Sequence, residues 1–131
     1  MAIAFVQAPN PGATTASSTS LALAFGSNVT AGSSIIIATR IGAQGRTVTA
    51  SDTQGNTYTI DKVQTQTTDH ELNILSAHNV AAGATTVTVS ISGAASTIRL
   101  CIAEYSGLAT SSTLDQVASQ SGAGGSPSPA S

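Results

Sequence analysis

Two carboxylates flank an imidazole at Asp69, His70 and Glu71, and an amide follows at Asn73. Such a group can serve general acid–base work, metal ligation or a polar grip on sugar hydroxyls. Asp69 and Glu71 share one strand face, because side chains alternate across an extended chain. The second histidine, His78, is eight residues further on. Even spacing puts both imidazoles on one face but about 26 Å apart, too far to share a metal ion. Both read as ordinary strand-end residues. Serines are abundant, but there is no G-x-S-x-G elbow, no H-E-x-x-H and no glycine-rich phosphate loop opening a helix. A serine without a positioned base is not a nucleophile. A catalyst is therefore not expected, and a polar binding surface built from Asp69, His70, Glu71, Asn73 and Tyr105 is the reading that uses these residues.

A second constellation is "SDTQGNTYTI", residues 51–60. Asp52, Gln54 and Asn56 place side-chain oxygens at alternate positions around Gly55, which echoes a calcium loop. A full loop needs more carboxylates and a closing bidentate Glu. The preferred expectation is a tight reversal in which Asp52 initiates the turn, Gly55 and Asn56 take positive backbone angles, and Tyr58 and Ile60 then face the core. A structural calcium ion held by Asp52 and Asn56 is the alternative. Glu104 shares the register of Ile102, so its carboxylate is expected to point inward. There it needs partners from the turn at Ser106–Gly107 or from an arginine. The single cysteine, Cys101, excludes an intramolecular disulfide and, within an apolar run, is expected to be buried.

Composition removes several classes. Charged residues make up 8% of the 131, and the net charge is −2 with one lysine and three arginines. Four scattered cations do not form the stripe that neutralises phosphates, so no nucleic-acid partner is expected. No apolar run approaches a membrane span, and the opening "MAIAFVQAPNPG" lacks the features of a signal peptide. Low charge with abundant Ser and Thr suits an extracellular or cell-surface module within a larger secreted protein. With no Trp, and with Phe25 and Tyr58 expected in the core, a row of exposed rings for crystalline polysaccharide is disfavoured.

Period-2 patterning must position all these groups, since no segment has helical periodicity. The runs are "AIAFVQ", "SLALAF", "SSIIIATRI", "RTVTAS", "TYTIDKV", "HELNILSAH", "TTVTVSIS" and "STIRLCIAEY". The first offers Ile3 and Phe5 or Ala4 and Val6 as its inward pair. Ile35–Ile37 reads as a central strand buried on both faces. Leu72 and Ile74 oppose Asn73 and Leu75, and Val87, Val89 and Ile91 alternate with Thr and Ser. Turn signals recur at about 8–12-residue spacing, which predicts an all-β, two-sheet antiparallel β-sandwich of about eight strands, jelly-roll or Greek-key like. The module is expected over residues 1–118, with 119–131 as a Gly/Ser/Pro-rich linker. "TLDQVAS" could add a last strand. The recurring T-x-T pairs have irregular spacing and read as solvent-facing strand threonines rather than an ice-binding ladder. "NVT" at Asn28 matches a glycosylation sequon, a pattern common by chance.

The order "NVTAGSSIII", "SDTQGNTYTI", "HNVAAGATTVTVSISG", "IRLCIAEYSGLATSSTLD", spanning approximately residues 20 to 120, resembles bacterial extracellular β-sandwich accessory modules of large secreted or surface proteins. The D-x-x-G-N-x-Y turn and the A-E-Y-S-G segment carry most of the resemblance. It brings no catalytic residues. It implies a non-catalytic accessory module, of a kind that sometimes accompanies polysaccharide-degrading domains. Two expectations follow: binding of a polysaccharide or cell-surface glycan, or a structural role (adhesin repeat, spacer or virion decoration protein) through self-association. The second would use Arg99, Cys101 and Ala103 with Leu75 and Ala77.

Overall fold

The computed structural model describes residues 2–66, 69–111 and 116–118, which form nine strands and no helix. They are β1 (Ala4–Gln7), β2 (Ala13–Ser18), β3 (Ser20–Ala24), β4 (Ser34–Ile41), β5 (Val48–Asp52), β6 (Thr59–Thr65), β7 (Glu71–Ala77), β8 (Thr86–Ile91) and β9 (Ser96–Ser106). A large sheet runs β1-β9-β4-β7-β6, with β2 also paired to β9, and a three-stranded sheet runs β3-β8-β5. Every pairing is antiparallel. The architecture is that of a β-sandwich. The expected linker and most of "TLDQVAS" lie outside the described residues.

Alternation fixes the core. Val87, Val89 and Ile91 of β8 turn inward to meet Ile35, Ile37 and Ile41 of β4, Ile98, Leu100 and Ile102 of β9, and Leu75 of β7. Burying each such side chain contributes about 1.5–3 kcal/mol. Phe25 joins them, with Leu21, Leu23 and Tyr58 packed at the margin.

Several expectations are corrected. β2, "ATTASS", carries no hydrophobic alternation and was not anticipated. It is held by its backbone pairing to β9, Ala13 opposite Leu100 and Thr15 opposite Ile98. β1 buries neither candidate pair: Ile3, Phe5 and Val6 are all exposed on an edge strand. β4 is buried throughout on one face; on the other only Ser34 is buried, with Ile36 half-buried and Ala38 exposed. Ile60 does not enter the core. It pairs with Leu75, but β6 is an edge strand with an irregularity before Lys62, and the smaller sheet leaves Ile60 and Val63 exposed.

Candidate functional site

The polar residues that the sequence grouped do not converge. Asp69 and His70 precede β7, with His70 Nδ1 3.0 Å from Asp69 Oδ1 in a solvent-facing pair. Glu71 and Asn73 point into the sandwich, both 1% exposed. Their expected role as surface ligands is corrected, because β7 places Glu71, Asn73 and Leu75 on its inner face and Leu72 and Ile74 on its outer one. Glu71 Oε2 accepts the Gly45 amide at 3.0 Å, and Oε1 accepts Asn73 Nδ2 at 3.3 Å. These bonds hold the β4–β5 loop over the end of the sheet. His78 follows β7 and bridges two buried serines, Nδ1 to Ser34 Oγ at 2.8 Å and Nε2 to Ser76 Oγ at 3.0 Å.

The turn after β5 is built as expected around Asp52. Its Oδ1 accepts the amides of Gln54 (2.9 Å) and Asn56 (3.1 Å), and its Oδ2 accepts Asn56 Nδ2 and the Tyr58 hydroxyl, both at 2.8 Å. Burial by itself raises the Asp52 pKa, but the bonds from Asn56, Tyr58 and Gln54 outweigh it and hold the carboxyl below its ordinary value. Burial and the neighbouring carboxylate push the Tyr58 phenol far up. Gly55 takes a positive φ of 76°, whereas Asn56 does not; the one non-glycine residue at positive φ among the described residues is Asn79. Asn56 Oδ1 instead accepts the Ala81 amide at 2.8 Å, tying the turn to the β7–β8 loop. The oxygens offered for calcium at Asp52 and Asn56 are thus engaged by protein donors. Among the described residues no group of three or more His, Cys, Asp or Glu side chains could hold a metal ion.

Glu104 is buried as expected, with different partners. Gln7 Nε2 donates to Oε2 at 2.7 Å and the Thr30 amide to Oε1 at 2.9 Å. Neither the Ser106–Gly107 turn nor an arginine is involved. Gly107 has a positive φ of 77°, and a Cβ there would strike the backbone of Ala2. The A-E-Y-S-G segment therefore combines a buried anchor with a close approach to the chain leading into β1.

What the fold does assemble is the outer face of the large sheet. Cys101, Ala38, Ile74 and Lys62 form one row across β9, β4, β7 and β6; Arg99, Arg40, Leu72 and Gln64 form the next. Six of these residues, Ala38, Arg40, Leu72, Ile74, Arg99 and Cys101, line a shallow cavity of about 320 Å3; Thr39 and Asn73, whose side chains turn inward, complete its lining. Cys101 is exposed here, not buried, because its register is that of Arg99 rather than of Leu100. The same face continues along β9 to half-buried Tyr105, opposite Phe5 of β1. The two rings meet edge to face, with centroids 5.8 Å apart and planes at 70°. Arg99 to Tyr105 spans six residues, about 20 Å of open strand. Of the predicted ligands only Tyr105 belongs to this surface. Phe5, Arg40 and Leu72 also belong to it and were not among the candidates; the strict alternation of "STIRLCIAEY" is the signal that could have led to Arg40, through its partner Arg99.

Comparison with protein-family models, with curated proteins and with solved structures finds no match to this chain.

Proposed function

We propose that this β-sandwich is a non-catalytic binding module that takes a polysaccharide chain along the outer face of its large sheet. The observation that carries the reading is the exposed ring of Phe5, 60% accessible and braced by Tyr105, at one end of an open face whose other end holds a shallow cavity. Sugar rings have apolar faces that pack on aromatic rings, and their hydroxyls accept hydrogen bonds from arginine. A face open at both ends suits a polymer better than a small enclosed ligand. The resemblance of the D-x-x-G-N-x-Y and A-E-Y-S-G segments to secreted accessory modules supports an extracellular setting beside other domains. Among the described residues no helix is long and apolar enough to cross a membrane. Affinity electrophoresis against a panel of plant and bacterial polysaccharides tests the reading. Phe5→Ala should weaken any retardation roughly tenfold, the loss typical of a central aromatic contact. Absence of retardation on every polymer would refute it.

A second reading, self-association, draws on Ile60 and Val63 of the edge strand β6, 45% and 43% exposed on the side of the sheet that the three-stranded sheet leaves uncovered. Leu75 and Ala77, first assigned to such a surface, are buried and take no part. Sedimentation velocity at rising concentration decides this, and a monomer throughout would exclude it.

A further inference from the structure

We infer that Arg40 and Arg99 together form an anion site, and that the polysaccharide bound on this face carries carboxylates, as an acidic, uronate-bearing chain does. The inference rests on the polysaccharide reading and sharpens it. The two arginines are direct register partners on β4 and β9, so they project side by side from the same face. Like charges placed opposite one another across strands repel. A folded protein normally answers such a pair with a carboxylate, yet among the described residues the one ion pair is His70 with Asp69, at the loop before β7.

Among the described residues no carboxylate is paired with either arginine. Glu71 and Glu104 are inside the sandwich, and Asp52 is locked in its turn. Asp61 sits at the irregularity of the edge strand β6, separated from Arg40 on β4 by the whole of β7. Lys62, in register with Ile74, adds a third cation to the face. Three of the four cationic side chains of a net-acidic protein thus share one surface.

The local chemistry suits a carboxylate on a sugar. Guanidinium groups engage carboxylates through two parallel hydrogen bonds, and two adjacent ones can share a single oxyanion. The apolar wall of Leu72 and Ile74 would accept the C–H face of the same sugar ring. The anion site and the Phe5–Tyr105 rings are about 20 Å apart along β9, so one extended chain reaches both.

Affinity electrophoresis against polygalacturonate, dextran sulfate, neutral dextran and a single-stranded oligonucleotide, with wild type, Arg40→Ala/Arg99→Ala, Arg40→Lys/Arg99→Lys and Phe5→Ala, tests the site. Cys101 borders the cavity and is exposed, so its alkylation rate reports occupancy independently. Polygalacturonate should retard wild type, slow alkylation of Cys101 severalfold and lose at least tenfold in affinity in the double alanine variant. The lysine pair should fall between, keeping charge but losing the fork. Circular dichroism checks each fold; if the double variant melts early, Arg99→Ala alone carries the test, because Arg99 is the more exposed of the two. Equal retardation on neutral dextran, untouched by the arginine variants and weakened by Phe5→Ala, overturns the anion site and leaves the polysaccharide reading standing. Preference for dextran sulfate or the oligonucleotide over polygalacturonate overturns the carboxylate assignment. Binding to nothing overturns both.

Discussion

Asp52 shows how much one turn residue can hold. Its carboxylate accepts four hydrogen bonds and orients Asn56, which in turn bonds the β7–β8 loop. Asp52→Ala removes all four and strands the half-buried Tyr58 hydroxyl, so it should cost about 2 kcal/mol in urea unfolding, at the upper end for one side chain short of the core. The pH dependence has a definite sign. The Asp52 pKa is lower folded than unfolded, so its contribution is present above the ordinary carboxyl value of 3.8 and fades as pH falls through the folded value. The stability gap between wild type and Asp52→Ala should narrow between pH 4 and about pH 2. Tyr58 behaves oppositely to alkali. Its phenol is raised when folded, so stability present below its ordinary value of 10.0 is lost as pH climbs beyond it, and its ultraviolet titration should coincide with unfolding. Glu104 is the other anchor: Glu104→Ala empties a fully buried position and leaves the part-buried Thr30 amide and Gln7 side chain without this partner, a loss of about 2 kcal/mol.

Strand by strand, the alternation that revealed the sandwich also sets which substitutions matter. Val89→Ala opens the centre of the core, where Val89 has no exposure, and should cost about 2–3 kcal/mol; Leu72→Ala, on the open face, should change stability by less than about 0.5 kcal/mol. Chemical denaturation of the two variants side by side measures the difference. Alternation made β3, β8 and β9 legible because each has an inward apolar row, only partly buried in β3. β4 was legible as a strand through its run of isoleucines, though not in which face it buries. Alternation could not show β2, whose Ala, Thr and Ser side chains bury little and whose place depends on backbone pairing to β9. Nor could it say which face of "HELNILSAH" turned inward. Glu71 and Asn73 look like surface residues by type, yet the fold supplies Glu71 with the Gly45 amide and buries the pair, while Leu72 and Ile74 face out. β1 misled for the reverse reason: Phe5 is apolar, but its register opposite Tyr105 turns it to the outer face, away from the three-stranded sheet. The candidate site was less legible than the fold because it is assembled across strands distant in sequence, and its cross-strand neighbours emerge only once register is known.

For the molecule as a whole, the unequal sheets and the segregated charge belong together. A six-stranded sheet against a three-stranded one has a broad outer face on which no other strand of the described residues packs, and that face collects Arg40, Lys62 and Arg99 while two of the six carboxylates are sequestered inside. Stacking this face on a second copy about a two-fold axis would bring the arginines of both protomers into one interface, which disfavours symmetric self-association there and leaves the β6 edge as the surface for it. The repulsion between Arg40 and Arg99 has a measurable consequence in the free protein. Arg99→Gln should stabilise by about 0.2–1 kcal/mol at low ionic strength, the scale of a cross-strand like-charge pair. Salt should erase the gain, since the Debye length shrinks to about 10 Å at 0.1 M and 3 Å at 1 M. Thermal melts of wild type and Arg99→Gln from 10 mM to 1 M sodium chloride check this: the wild-type melting temperature should rise with salt more steeply until the two curves meet. A less stable Arg99→Gln at every salt concentration would mean that the guanidinium is already compensated within the fold, and the face would then have no unmet charge to offer a ligand.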